Sequence, residues 1–386
     1  MVNGEGTKRS RLDADHLMEV LRERGVAEIK GAEELVLIMD GMELRREYAE
    51  EQEYLMRVKS LEGGLVNGYR SLNVLGLGEK EKRGMLYHRL YSSQAPGFLS
   101  ENEEIGKAID QVSQQLLGYP GEKTWVMDRG FDNDWVWWKI WRHGDHLVCR
   151  VFHEERLVQV ETSPGRFQER YLDATYARLQ KYTRVETELE VRLQGQKHAK
   201  RQKVQVEISA TPIWVYADER ENPRPTKKVW LVRVSVIHAV QDPWYLITDW
   251  PVDDEASALR LFIYYRRRWS VEDTFKFVKT TLGLESVQML AFEAVRTFVA
   301  LAWVAAGFLF SLGLTLEDPE VFLLAVLGGW EIRPDRPPGK IILSRGLRRL
   351  LDKFATDALL SQYRAEHGDL PPFFKELEAR YGSNLS

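Results

Sequence analysis

One segment of the chain, from Tyr265 to Lys279, limits what the chain can fold into more than any other. Tyr265, Arg268, Glu272 and Lys279 follow one another there at intervals of three, four and seven residues. On an α-helix of about 100° per residue, these four side chains fall within an arc of about 60°. One carboxylate, two cations and one phenol would therefore share a helix face.

The residues around this segment predict a single helix over about 254–282. Asp254 suits an N-cap and Gly283 suits the position after a helix end. An apolar stripe beside the polar face consists of Val271, Phe275 and Val278. The helix is therefore expected to pack on a core with its polar face at a rim. That face is either a row of solvated ion pairs, or a site where Glu272 binds a divalent metal and the cations hold phosphates.

Two short apolar runs elsewhere in the chain each lead to an aspartate. Residues 34–39 precede Asp40, and residues 124–127 precede Asp128. Uninterrupted apolar strands are typical of a sheet covered on both faces, so each aspartate is expected just past its strand, at the rim of the sheet. Taken singly, each aspartate is also typical of a turn, because Asp and Gly lie close together at both places.

The predicted elements around these runs follow the order strand, strand, strand, helix, strand, helix, strand. Besides the two runs above, the main ones are strands over 69–75, 85–90 and 146–152 and a helix over 100–117. This order places the ends of the first and fourth strands side by side. Asp40 and Asp128 are therefore expected to be neighbours.

The sequence pattern changes between about residues 154 and 244. Short alternating segments recur there between Pro and Gly residues, and they include separate strands over 203–209 and 213–216. This pattern predicts a largely β insertion. A Trp-rich stretch ahead of it is predicted to brace the core against the insertion, through Trp135, Trp137, Trp138 and Trp141.

One apolar segment raises the question of a membrane. Residues 297–316 carry no charge and are long enough to span a bilayer. Gly307, Ser311 and Gly313 interrupt the segment, and we interpret it as a buried core helix, so no membrane is expected. A proline-rich break over 333–339 then precedes a helical C-terminal region.

The segment from Tyr265 to Lys279 resembles the YREK signature of bacterial cut-and-paste transposases of the insertion-sequence-4 type. All four signature residues stand at the family spacing. The stretches at Asp40-Gly and Asp128-Arg-Gly-Phe-Asp are similar to those around the first two catalytic aspartates of the family. These proteins are a branch of the DDE transposases with a ribonuclease H-like catalytic core. The resemblance covers about residues 12–351 and implies a DNA transposase.

The expected fold is accordingly α/β, with a ribonuclease H-like mixed sheet flanked by helices, a largely β insertion domain that interrupts it, and a helical C-terminal region. The expected boundaries are a lead-in helix over 1–30, a core over 31–152 and 251–316, the insertion over 153–250 and the C-terminal region over 317–386.

Three carboxylates are expected to form the catalytic site. Asp40 and Asp128 at neighbouring strand ends, and Glu272 on a helix packed across them, could hold two Mg²⁺ ions about 3.5–4 Å apart. One ion would activate a water or a 3′-hydroxyl, and the other would stabilise the leaving oxygen. Hard oxygen ligands suit Mg²⁺, or Mn²⁺ in its place, and not zinc. The rival carboxylates are Asp132, Asp249 and Glu43. Asp132 is the closest substitute but is expected instead to cap the Trp-rich turn or helix.

The resemblance also implies which residues bind DNA. The Tyr, Arg and Lys of the family signature grip phosphates at the transposon end, which gives this role to Tyr265, Arg268 and Lys279. A Trp at the exit of the insertion stacks on a flipped base, and by position this is Trp244; burial between insertion and core is the alternative.

A hairpin of the insertion is strongly basic, with no acid among its basic residues, which are Arg192, Lys197, Lys200, Arg201 and Lys203. Such a hairpin either follows the DNA backbone or is a solvated loop. A second basic patch comprises Arg345, Arg348 and Arg349.

Composition limits where DNA could bind. The formal net charge is -4, so a DNA surface has to be a local basic patch. Cys149 is the only cysteine of the sequence, which excludes an internal disulfide and fits a reducing cytoplasm. We therefore expect a cytoplasmic protein that is associated with the nucleoid when it binds DNA.

Together these patterns predict a DDE transposase that cleaves and transfers DNA strands at element ends with Mg²⁺. Its expected partners are double-stranded DNA, as terminal inverted repeats and target, and a second copy of the chain in a synaptic homodimer. A related metal-dependent nuclease without strand transfer and a non-catalytic DNA-binding relic are the alternatives. Members usually carry a DNA-binding segment ahead of the first catalytic Asp, whereas 39 residues precede Asp40. Truncation, or end recognition by the insertion and the C-terminal helices, is therefore expected.

Overall fold

The computed structural model describes residues 13–79, 82–217, 226–285, 288–331, 338–372 and 374–376. The chain divides into two units, Met1–Gly307 and Phe308–Ser386. All strands of the described residues belong to the first unit.

The first strand is apolar over half its length because both of its faces are covered. Strand β1 (Glu34–Arg45) buries residues 35–39 fully and pairs antiparallel with β3 (Leu65–Leu77). Strands β2 (Met56–Lys59) and β4 (Arg83–Tyr91) both pair with β3. These elements form the antiparallel meander predicted from the sequence.

Helix α1 (Ala14–Ile29) lies directly on β4. Gly25 of the helix meets Gly84 of the strand, and neither position has room for a Cβ. The two glycines therefore allow the backbones to approach more closely than any side chain would permit.

Two parallel strands extend the sheet on the other side of β1. Helix α2 (Glu101–Gln115) leads to β5 (Glu122–Met127), and α3 (Asp134–Arg142) leads to β6 (His146–Arg150). β5 is parallel to β1, and β6 is parallel to β5. The predicted adjacency of the two strands that lead to aspartates is confirmed.

The β-rich segment continues the same sheet. Its strands are β7 (Leu157–Ser163), β8 (Arg166–Tyr171), β9 (Gln180–Val191), β10 (Lys200–Tyr216), β11 (Thr226–Val236) and β12 (Trp244–Thr248). Because β12 pairs with β6, the order across the sheet is β2-β3-β1-β5-β6-β12-β11-β10-β7-β8, with β9 on β10.

The separate strands predicted over 203–209 and 213–216 are one strand, β10. On one of its edges, β10 pairs with β9 up to Ala210 and with β7 from Trp214. Pro212 lies between these two stretches, and on the other edge of β10 it is paired with Trp230 of β11, so the strand continues through the proline. The prediction of a break was therefore wrong.

Tryptophans of α3 connect the parallel strands to the β-rich segment. The indole N–H of Trp138 donates to the carbonyl of Tyr216 on β10 at 3.1 Å. The Lys227 ammonium of β11 lies 4.9 Å from the ring of Trp141. The bracing role predicted for these two tryptophans is confirmed.

The helix predicted over 254–282 is divided at Arg268. It consists of α4 (Glu255–Arg267) and α5 (Trp269–Thr281). The Arg268 N–H donates to the carbonyl of Tyr265, three residues earlier, which tightens the chain into a turn. The prediction of one continuous helix was wrong because α4 packs on β9 and β10 whereas α5 packs on β1.

Helix α6 (Phe292–Thr315) contains the long apolar segment. Its buried residues within the first unit include Val295, Val299, Trp303 and Ala306, at the spacing of one helix face. By length and composition its stretch Phe292–Ser311 could cross a membrane, and 33% of the most apolar window is buried. The prediction of a buried core helix is therefore correct for one face of the helix.

The second unit contains α7 (Asp318–Leu327) and α8 (Lys340–His367). The predicted basic patch of Arg345, Arg348 and Arg349 is exposed on α8. Residues 333–337, most of the proline-rich break, lie outside the described residues.

Candidate active site

Asp40 and Asp128 are neighbours where two parallel strands separate. The pairing of β1 with β5 runs up to Met39 opposite Met127, so Asp40 and Asp128 are the residues that directly follow the last pair. β1 does not end at Asp40 as predicted. It continues to Arg45 because its antiparallel pairing with β3 persists beyond the parallel pair. Asp40 therefore lies at the rim of the parallel strands while its backbone remains in the sheet.

Arg268 connects the first aspartate to the glutamate of the signature. Its guanidinium lies 3.2 Å from the Asp40 carboxylate and 2.6 Å from the Glu272 carboxylate. The Arg268 side chain is 8% exposed, whereas that of Glu272 is 56% exposed. A buried cation thus lies between two of the three predicted catalytic carboxylates.

Burial raises the pKa of the Asp40 carboxyl to about 6. The positive charge of Arg268 opposes this rise, and the negative charges of Asp128 and Glu272 add to it. The Gly41 N–H donates to the Asp40 carboxylate at 2.8 Å, which favours the ionised form. A desolvated carboxylate beside two others would be stabilised by additional positive charge.

Tyr265 is buried beside the second aspartate. Its hydroxyl donates to the Asp128 carboxylate at 3.5 Å. Burial raises the pKa of Tyr265 to about 12, so the side chain is a neutral phenol at physiological pH. Arg150, the last residue of β6, donates a hydrogen bond to Tyr265. Arg150 was not predicted, although its position at the end of a strand next to β5 could have identified it.

Two tryptophans lie beside Tyr265. The Trp244 ring is 5.6 Å from the Tyr265 ring and meets the Trp269 ring edge to face at 5.5 Å. Trp244 is half-buried. It therefore contacts the signature segment directly while part of its surface remains accessible.

Lys279 is separate from this group. Its ammonium donates to the main-chain carbonyl of Glu43 and lies 3.6 Å from the Glu285 carboxylate. Burial lowers the pKa of Lys279, and the charge of Glu285 opposes that change. Lys279 follows Glu272 on α5 by seven residues, about two helical turns, whereas Tyr265 lies on α4 ahead of the turn at Arg268. The four signature side chains therefore do not lie on one continuous helix face as predicted.

The rival carboxylates have other partners. Asp132 accepts from the backbone N–H of Phe152 and lies 2.7 Å from the Arg156 guanidinium. It does not cap α3 as predicted, because Asn133 is the N-cap of that helix. The other two rivals are also held by side chains, Asp249 by His146 and Glu43 by Arg45.

The predicted basic residues of the insertion lie on and between β9 and β10. No acid interrupts them in the sequence, but β9 places acids opposite them. Glu188 lies 3.2 Å from Arg201, and Glu186 lies 3.7 Å from Lys203. The cluster is therefore partly neutralised. Members without an ion pair to any described residue are Arg192, Lys197 and Lys200.

The chemistry of the carboxylates fits a hard divalent cation. Asp40, Asp128 and Glu272 supply only oxygen ligands, which suit Mg²⁺ or Mn²⁺. Within the described ranges, no three Asp, Glu, His or Cys side chains are grouped closely enough to hold a metal as they stand. Arg268 is the cation that Asp40 and Glu272 now share. The site is thus already built around positive charge.

Comparison with protein families gives a match that covers the signature segment. The model described as "Transposase DDE domain" matches residues 100–307, just over half of the chain. The matched range includes Asp128 and the whole signature segment, whereas Asp40 precedes it. A search of curated proteins found no match.

Proposed function

Because the chain belongs to the transposase DDE domain family, we propose that it is a transposase of the insertion-sequence-4 type that cuts and joins DNA at the ends of an insertion sequence. The family implies an enzyme that binds DNA, cleaves or transfers nucleic acid strands and generally depends on a divalent metal. The proposal further assigns a ribonuclease H-like core to the sheet. The observation that carries it is the pair of aspartates at the point where two parallel strands separate, with Asp40 connected through Arg268 to Glu272.

Asp40, Asp128 and Glu272 would hold the metal. Bound Mg²⁺, or Mn²⁺ in its place, would activate the attacking oxygen and stabilise the leaving oxygen of the phosphodiester. Asp40 has to be ionised for this role, and at pH 7 it is, because its pKa is about 6. Arg268 holds Asp40 and Glu272 in one ion-paired group, so that their orientation is set before substrate arrives.

Side chains around the carboxylates would hold the DNA end. Tyr265 and Arg268 would contact DNA phosphates next to the reacting bond. Lys279, which lies beside Glu43 of β1, would contact the DNA backbone further from that bond. Trp244 would stack on an unpaired base, an interaction of about 1–3 kcal/mol. The contacts of Trp244 with the rings of Tyr265 and Trp269 support this assignment, because they hold the indole next to the signature residues. The basic hairpin of β9 and β10 would follow the duplex.

Two copies would act together on paired element ends, as a synaptic homodimer, with terminal inverted repeats and target DNA as partners. The protein would work in the cytoplasm on the nucleoid and not at a membrane. The burial of one face of α6 within the first unit supports a packing role for that helix.

Cleavage of element ends tests the proposal directly. The purified full-length chain is incubated with duplex DNA that ends in the terminal inverted repeats flanking the gene, with Mg²⁺ or Mn²⁺. We expect cutting at the end junction followed by strand transfer. Glu272→Gln should abolish both while DNA binding is retained, because the Glu272 side chain is largely exposed and not needed for folding. Asp273→Asn, the same change at the next residue of α5, is the matched control and should cut like the wild type.

Other outcomes support the alternatives. Cutting without joining would indicate a nuclease of the same family. Binding of the ends with no cutting in either metal would indicate a non-catalytic DNA-binding relic. Cutting that persists in the Glu272→Gln variant would remove Glu272 from the site.

A further inference from the structure

Buried polar side chains lie in the sheet directly beside Asp40. Asn73 on β3 is the cross-strand partner of Asp40, and His88 on β4 is the cross-strand partner of Asn73. Both side chains are buried, as is that of Ser71. Polar groups in such positions cost free energy unless hydrogen bonds satisfy them.

A chain of hydrogen bonds runs from His88 to the backbone of Asp40. His88 Nδ1 lies 2.7 Å from Asn73 Oδ1, and Asn73 Nδ2 donates to the Asp40 main-chain oxygen at 3.4 Å. The same amide nitrogen donates to Ser71 Oγ at 3.1 Å. Because Asn73 Oδ1 can only accept, His88 Nδ1 carries the proton. Burial lowers the pKa of His88 to about 3, so its ring is a neutral donor at physiological pH.

The Asp40 carboxylate depends on the backbone that these side chains hold. The Gly41 N–H donates to the carboxylate at 2.8 Å. On the other side of Gly41, Ser71 Oγ donates to the carbonyl of Met42 at 3.5 Å. Side chains of β3 thus contact the β1 backbone on both sides of the residue that orients the carboxylate.

His88 also lies near the helix that carries the third carboxylate. Its ring is 5.6 Å from the Trp303 ring of α6, and Trp303 is 6.0 Å from the Phe275 ring of α5. Phe275 follows Glu272 by one helical turn. His88 is therefore linked to Asp40 by hydrogen bonds and to the helix of Glu272 by ring packing.

We propose that Asn73 and His88 are positioning residues that orient Asp40 for metal binding, an inference that rests on the proposed function. The second ring nitrogen of His88, Nε2, has no hydrogen-bond partner among the described residues. An apolar ring would avoid the cost of burying that nitrogen, so packing alone does not explain a histidine at this place. The hydrogen bond that His88 donates to Asn73 explains the choice of a histidine. Replacing residues that orient metal ligands typically costs about 10–100-fold in metal affinity or activity.

Two substitutions of His88 separate the hydrogen bond from the packing. His88→Asn keeps an N–H donor near the Nδ1 position and loses the ring, whereas His88→Phe keeps a ring and loses the donor. Mn²⁺ binding to the full-length chain is measured from the signal of the free ion in electron paramagnetic resonance. We expect His88→Phe to weaken Mn²⁺ binding at least about tenfold. His88→Asn should stay closer to the wild type.

Cleavage and DNA binding are measured on the same proteins. The metal concentration for half-maximal cleavage should rise in His88→Phe in parallel with the loss of Mn²⁺ binding, while metal-free DNA binding is unchanged. Thr248→Val, which removes a fully buried hydroxyl from β12, is the control and should bind Mn²⁺ like the wild type. If His88→Phe does not fold, as its melting temperature will show, Asn73→Ala provides the same test, because it removes the amide that contacts Asp40.

The outcomes distinguish this inference from the proposed function. If His88→Asn is the more damaged variant, or if His88→Phe binds Mn²⁺ like the wild type, the positioning role is overturned while wild-type cleavage leaves the proposed function intact. A wild type that neither binds Mn²⁺ nor cuts DNA overturns both.

Discussion

The ionisation of Asp40 links the stability of the protein to its candidate chemistry. The Asp40 side chain is 18% exposed, and burial raises its pKa from the ordinary value of 3.8 to about 6. Between about pH 4 and pH 6, the folded protein therefore binds more protons at this residue than the unfolded chain does. The stability that this residue contributes is present below about pH 4 and is lost as the pH rises through about 6. A site that needs the ionised carboxylate thus carries a stability cost at neutral pH.

The variant Asp40→Asn should remove this cost, because its amide does not titrate. Both proteins are compared in EDTA. We expect the unfolding free energy of Asp40→Asn minus that of the wild type to be larger at pH 7 than at pH 4, by up to about 3 kcal/mol. Denaturant unfolding of both proteins at the two pH values measures this difference. Comparing the two pH values cancels any effect of the substitution that does not depend on ionisation.

Asp254→Asn is the control with the opposite sign. Hydrogen bonds from the Ser257 side chain and backbone lower the pKa of Asp254, the N-cap of α4. Its stabilising contribution is therefore present at neutral pH and lost as the pH falls. Asp254→Asn should lose stability relative to the wild type at pH 7 and not at low pH. If the difference in unfolding free energy between Asp40→Asn and the wild type is the same at both pH values, the raised pKa of Asp40 is contradicted.

At the scale of elements, local patterns predicted the strands of the site better than its helix. Residues 35–39 and 125–127 are apolar because both faces of those strands are covered, and this burial is visible in the sequence itself. The continuation of β1 past Asp40 depends on pairing with β3. The division at Arg268 depends on packing against β1, β9 and β10, which are all distant from the helix in the chain. Neither has a local signal.

The same distinction applies to the site residues. Tyr265, Arg268 and Glu272 were predicted because their types and spacing form a pattern. Asn73 and His88 are single polar residues in apolar strands, and only the register of three strands reveals that they lie side by side. Such residues become visible when the sheet is assembled.

The close contact of α1 with β4 gives a prediction for two helical glycines. A Cβ at Gly25 would lie 2.3 Å from the Met85 carbonyl oxygen, whereas one at Gly106 of α2 would lie 3.7 Å from its nearest neighbour. Gly106→Ala should therefore raise the unfolding free energy by about 0.5–1 kcal/mol through helix propensity. Gly25→Ala gains the same helix propensity, but its methyl group fits only if α1 moves away from the sheet. Its unfolding free energy should therefore fall by about 1–3 kcal/mol overall.

Denaturant unfolding of both variants against the wild type measures these changes. Opposite signs for two identical substitutions in helices would show that backbone approach, and not helix propensity, decides at Gly25. Equal stabilisation of both variants would mean that α1 is not seated on β4 as closely as described.

At the scale of the whole molecule, charge does not attract DNA uniformly. With a formal net charge of -4, the protein has to gain affinity for DNA from local patches. The hairpin of β9 and β10 combines both signs, because Glu186 and Glu188 of β9 pair with basic residues of β10. All four of these side chains are exposed, and exposed ion pairs of this kind contribute about 0–1 kcal/mol, so DNA phosphates could readily replace the acids.

Two matched double variants of this hairpin test whether it contacts DNA. Lys197 and Lys200 have no ion pair to any residue that the structure describes, so they are free to bind phosphates. Each phosphate contact contributes about 0.9 to the slope of log affinity against log salt concentration. Lys197→Gln with Lys200→Gln should therefore weaken duplex binding and reduce that slope by up to about 2. Glu186→Gln with Glu188→Gln changes as many charges with the opposite sign, and should strengthen binding because Arg201 and Lys203 are released for DNA.

Fluorescence anisotropy of a labelled duplex, titrated between about 50 and 200 mM salt, gives the affinity and the slope for each protein. If the variants acted only through net charge, their affinities would shift in opposite directions. The salt slope of the lysine variant would then not fall by about 0.9 for each lost phosphate contact. Slopes that coincide for the wild type and both variants would mean that the hairpin is a solvated loop. DNA contacts would then have to come from other cations, such as the largely buried Arg268 and Lys279 or the exposed Arg345, Arg348 and Arg349 of α8.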